Sequence, residues 1–66
     1  MLHHVINLDT GKGWYFKART PYEAMAQLRY WLACSDGRAA QLPINKTTSG
    51  LHLYIVYRNE TYAVRN

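Results

Sequence analysis

The sequence predicts an α+β fold: one small domain of order β-β-α-(β)-β-β, with an antiparallel sheet of four or five strands covered on one face by a single helix. Three observations predict it. Two alternating apolar and polar stretches flank a Gly-rich turn near the start. A stretch with helical apolar spacing follows behind an explicit start signal. Two more alternating stretches then flank a tight turn near the end. Sixty-six residues make one domain, 1–66, because so short a chain buries too little surface for two cores.

"LHHVINL" alternates Leu2, His4, Ile6 and Leu8 on one face with His3, Val5 and Asn7 on the other. "DTGKG" marks a turn, and "WYFKAR" sets Trp14, Phe16 and Ala18 against Tyr15, Lys17 and Arg19. With Leu8 opposite Trp14, both apolar sets share the core side. Thr20, Pro21 and Glu23 then form a Thr-x-x-Glu capping box with proline at the first helical position. At about 100° per residue, Ala24, Met25, Leu28, Trp31 and Leu32 gather in one stripe, and Gly37 is the expected stop. That stripe is the lid of the core. Leu42–Ile44 is expected as an edge strand, the only place where Pro43 can sit in a sheet. "LHLYIVY" is the clearest strand, turning through Asn59 and Glu60 into "TYAVR", with Tyr57 opposite Tyr62 and Ile55 opposite Val64.

The uncovered face of this sheet is expected to carry His3, Val5, Tyr15, Lys17, Arg19, His52, Tyr54, Val56, Arg58 and Arg65. Four of the eight Lys and Arg residues fall there, and none of the four acids. The formal charge of +4 favours acidic partners through long-range attraction. Aromatic rings among cations supply what single-stranded nucleic acid needs, stacking surface and phosphate neutralisation. The expected site is therefore Tyr15, Lys17, Arg19, His52, Tyr54, Arg58 and Arg65, in a non-enzymatic nucleic-acid-binding module. The same residue types also build protein interfaces. The alternative is a small protein-binding inhibitor or regulator of the kind phages and mobile elements encode, or a homodimer.

Other chemistry finds less footing. His3 and His4 are consecutive on a strand and point to opposite faces, so they do not share a metal ion, and no cofactor is expected. A histidine at the third position could wrap nitrogen ligands around Cu(II) or Ni(II), an incidental property of many chains. Cys34 has no base beside it in sequence and is expected to be buried. Asp9, Glu23, Asp36 and Glu60 all fall at turns or helix ends, where capping explains them. The Lys12 loop lacks the Gly-Lys spacing and following helix of a phosphate-binding loop. One cysteine excludes an internal disulfide, which leaves dimerisation as the stabilising device still open to a domain this small. "MLHHVINLD" does not resemble a signal peptide, and no segment reaches the ~20 apolar residues of a membrane span. A cytoplasmic protein that does not contact membranes is expected.

Overall fold

A computed structural model describes residues Met1–Asn66. The chain forms β1 (Leu2–Asn7), β2 (Gly13–Lys17), α1 (Pro21–Ala33), a 3-10 turn (Gly37–Gln41), β3 (Asn45–Lys46), β4 (His52–Tyr57) and β5 (Glu60–Arg65). All strand pairs are antiparallel, in the spatial order β2-β1-β5-β4-β3. The first and last strands therefore lie side by side at the centre. The segment from β2 to β3 carries the chain from one edge of the sheet to the other. α1 rests on that crossing and touches β1, β2, β4 and β5. No helix is long and apolar enough to cross a membrane.

α1 begins as its sequence dictates. Thr20 is extended, its hydroxyl accepts the Glu23 N–H at 3.1 Å, and Pro21 occupies the first turn. The Glu23 carboxylate does not complete the box; it lies 3.5 Å from Arg19 instead. Ala24, Met25, Leu28 and Leu32 are buried, but Trp31 is 48% exposed and roofs Trp14 at the sheet edge, the ring centroids 5.5 Å apart. The helix stops before Gly37. Cys34, which is exposed rather than buried, caps it, and Gly37 opens the 3-10 turn that Asp36 caps. Gly37 does not take the left-handed conformation of a helix stop.

Two registers differ from the sequence expectation. In the second hairpin Ile55 lies opposite Tyr62 and Tyr57 opposite Glu60, so the turn is Arg58–Asn59. Both residues have positive φ, 50° and 64°, the geometry of a type I′ turn, which Asn59 tolerates at its second position better than Glu60 would. The shift is by two residues, so every side chain keeps its face.

In the first hairpin Val5, not Leu8, lies opposite Trp14. That shift of three is odd, and it reverses β1: His3, Val5 and Asn7 face the helix, while Leu2, His4, Ile6 and Leu8 face away. Asn7 explains the choice. Its side-chain oxygen accepts the N–H groups of Asp9 (2.9 Å) and Thr10 (3.1 Å), and its own N–H donates to the Lys12 carbonyl at 2.7 Å. This closes a Leu8–Gly11 loop, with Gly11 at φ +81°. The inward slots go to Val5, fully buried, and to a satisfied Asn7. His3 Nε2 is a buried atom without a partner.

Leu42 and Ile44 pack against the core without joining the sheet, and the edge strand begins beyond Pro43 at Asn45, where the backbone again has an N–H to offer. The core joins Val5, Ala24, Met25, Leu28, Leu53, Ile55, Tyr62 and Val64, with Ala39 of the 3-10 turn closing one end.

The β1 register is testable by paired substitutions in chemical denaturation. Asn7→Ala, although it removes a polar group from the interior, lowers stability by about 1–3 kcal/mol because two N–H groups lose their acceptor. Leu8→Ser, on the outward face, stays within about 0.5 kcal/mol. Met25→Ala costs about 2–5 kcal/mol, most of what a domain of this size has.

Candidate binding face on the open side of the sheet

The strand registers arrange the outward side chains in rows that run across the sheet. β1 sets His4 beside Tyr15 and Ile6 beside Gly13, and β4 sets His52 beside Arg65 and Tyr54 beside Ala63. Ile6 faces Ala63 across β1 and β5, which brings Arg65 next to His4 one pleat along. One row thus reads Tyr15, His4, Arg65, His52. The next reads Gly13, Ile6, Ala63, Tyr54. A third holds Leu8, Thr61 and Val56, tied together where the Leu8 N–H meets the Thr61 carbonyl at 2.8 Å.

The middle row is low at Ala63, and the sheet is hollowed there into an open trough of about 590 Å³. His4, Ile6, Leu8, Tyr54, Ala63 and Arg65 are among its lining residues, with Thr47 and His52 at the β3 side. The two crests are four residues apart along a strand, about 13 Å. They differ in chemistry. One is aromatic and cationic, and the other is apolar, with Leu8 61% and Val56 47% exposed.

The first crest is built at Gly13. The His4 and Tyr15 rings stack at 4.7 Å with planes 21° apart, and Nε2 of His4 occupies the space a Cβ at Gly13 would fill. Tyr15 is left 68% exposed at the end of the row. The outward positions carry no acid. The Asp9 carboxylate, just after Leu8, accepts the Thr61 N–H at 2.7 Å.

Of the expected site residues, Tyr15, Lys17, His52, Tyr54 and Arg65 share this face. Arg19 and Arg58 do not. Arg19 follows the end of β2 and pairs with Glu23 at the helix start. Arg58, in the left-handed turn, swings toward the helix layer and lies 3.5 Å from Asp36, its guanidinium over the Tyr57 ring. Asp36 gathers several groups: it accepts the Arg38 N–H (3.1 Å) and the Tyr57 hydroxyl (3.1 Å). The Arg38 N–H and then the Tyr57 hydroxyl hold its carboxyl below the usual carboxylate range against the opposing effect of burial, with the charges of Arg58 and Arg38 adding less. Burial, and then its bond to Asp36, push the Tyr57 hydroxyl up.

His4, Ile6 and Leu8 belong to the trough and are missing from the expected site because the expected register, with Leu8 opposite Trp14, turns them inward. The signal that places them is Asn7 followed by Asp9 and Gly11, a turn written in the sequence. No group of three or more His, Cys, Asp or Glu side chains is placed to hold a metal ion.

Two measurements follow. Gly13→Ala displaces the His4 ring and ends its stack on Tyr15, visible as a loss of the mutual ring-current shifts of the two side chains by NMR, with the core resonances unmoved. Asp36, whose carboxyl is lowered in the folded state, adds stability that is complete above its unfolded value near pH 4 and is lost as pH falls through the lowered folded value. Asp36→Asn accordingly flattens the acid limb of a stability-against-pH curve below about pH 4 and leaves its shape above pH 6 unchanged.

Set beside protein-family models, curated proteins and solved structures, the chain matches none of them.

Proposed function

We propose that the open face of the sheet binds single-stranded nucleic acid and that the protein is a non-enzymatic binding module. The observation that carries this reading is the unequal pair of crests. A single strand has its charge along one side and its flat, largely apolar bases along the other, whereas a duplex presents two equivalent charged backbones. A cationic and aromatic row facing an apolar row across a hollow suits the first. Arg65 and Lys17 meet phosphates, Tyr15 and Tyr54 offer ring faces to bases, and the small Ala63 leaves room for a base to enter.

A second reading has its own observation. The β1 register brings Leu2, 64% exposed, together with Ile6 and Leu8 onto this face, which makes it more apolar than the sequence had suggested. A protein target covering Leu2, Leu8 and Val56 is the reading that stands if nucleic acid does not bind.

Titration of labelled single-stranded RNA, single-stranded DNA and duplex DNA, each at about 50 and about 200 mM salt, separates the two. Single strands bind more tightly than duplex, and the logarithmic salt slope is roughly −1.4, the value for two phosphates met by Lys17 and Arg65. Arg65→Ala weakens binding about fivefold or more and reduces the slope by about 0.7. Arg19→Ala and Arg58→Ala, whose side chains point elsewhere, change affinity less than about twofold. Absence of binding at low salt removes this function.

A further inference from the structure

The two edges of the sheet are unequal. β3, at one edge, is two residues long, follows Pro43 and carries Lys46, all features that discourage pairing. β2, at the other, runs Gly-Trp-Tyr-Phe-Lys without proline or bulge. Along an antiparallel strand, alternate residues turn both N–H and C=O to the same side. Lys12 and Ala18 turn theirs to β1, bonding Asn7 (2.7 Å) and Met1 (2.9 Å), so Trp14 and Phe16 do the same. Gly13, Tyr15 and Lys17 therefore point outward. Of their backbone groups only the Lys17 carbonyl has a partner, Gln27 Nε2 at 2.8 Å. The N–H and C=O of Gly13 and Tyr15 and the N–H of Lys17 are unpaired on an exposed, strongly aromatic edge.

We infer that a second copy of this chain pairs with β2 in antiparallel register about a two-fold axis at Tyr15. The occupant is a second copy because the edge is complementary to itself in this register. Tyr15 exchanges both its bonds with the partner copy's Tyr15, and Lys17 lies opposite Gly13, so no two like charges meet. On the helix side Trp14 lies opposite Phe16, twice, an aromatic cross-strand pair. Moving the register by one step in either direction costs a hydrogen-bonded pair, and one of the two slips also brings Lys17 opposite Tyr15. The axis also falls on the cationic row. The row of one copy continues straight into the other through the two Tyr15 residues, giving eight strand positions and about 34 Å of aromatic and basic crest across a ten-stranded sheet. That consequence rests on the nucleic-acid reading; the dimer itself does not.

Sedimentation velocity of the full chain, from low micromolar to millimolar concentration, tests the association, and amide hydrogen exchange over the same range locates it. A species of twice the chain mass is expected, with the Gly13, Tyr15 and Lys17 amides exchanging at least about tenfold more slowly than in dilute solution. The Trp14 and Phe16 amides, bonded to β1 in either state, change little. Tyr15→Pro, which removes an N–H that no intramolecular bond uses, leaves a monomer. If that variant does not fold, the exchange pattern of the unaltered chain decides alone. A monomer at the highest concentration, or a dimer whose Tyr15 amide still exchanges freely, overturns the proposal. A protected dimer that binds no oligonucleotide upholds the interface and removes the nucleic-acid function, and a monomer that binds single strands does the reverse.

Discussion

The pairing of β1 with β5 holds the domain together. Val5 lies opposite Trp14 on one side and Val64 on the other, fully buried beneath α1, so the first hairpin, the last hairpin and the helix all meet at one side chain. The two hairpins are local and each closes a short loop. Joining them brings together residues separated by nearly the whole chain, and the entropy of closing that loop is returned only when the helix covers the seam. The Leu8 N–H donates to the Thr61 carbonyl and the Asp9 carboxylate accepts the Thr61 N–H, which extends the same seam past the end of β1.

Because one helix can cover only one face, this seam creates the open face as well. β5 and β4 give Val64, Leu53 and Ile55 to the helix side, and the small Ala63 stands behind them opposite Ile6. A sheet with bulk on one side and alanine on the other is hollow at that residue. The cations that could have spread over it are divided. Lys17 and Arg65 stay on the open face, whereas Arg19 and Arg58 are drawn to the carboxylates of Glu23 and Asp36 at the helix ends. Exposed pairs of this sort add little stability, but they decide where a charge is available.

Tyr15 is where these consequences converge. Its ring ends the basic row against His4, and its backbone lies at the centre of the unpaired edge. A domain with a single cysteine and no cluster of metal-ligating side chains has few means of gaining stability other than burying surface against something else, and the open face and the unpaired edge share this residue.

The sequence by itself determined the fold class, the helix and its start at Thr20, Pro21 and Glu23, and the faces of β2, β4 and β5. Period and capping are local properties, and each of those elements carries its own signal. It determined the aromatic and basic character of the open side through Tyr15, Lys17, His52, Tyr54 and Arg65. It did not determine which face of β1 turns inward, because Leu2, Ile6 and Leu8 make as plausible an apolar set as Val5 alone, and the decision fell to the hydrogen bonds Asn7 makes in its loop. Nor did it determine that Trp31 sits at the margin, that Cys34 is exposed, or that Arg19 and Arg58 leave the face. Those outcomes depend on where the helix lies across the sheet and on which carboxylate each guanidinium can reach. The strand order, with the two ends of the chain paired at the centre, was decided by tertiary structure alone: no local pattern records a partner nearly sixty residues away.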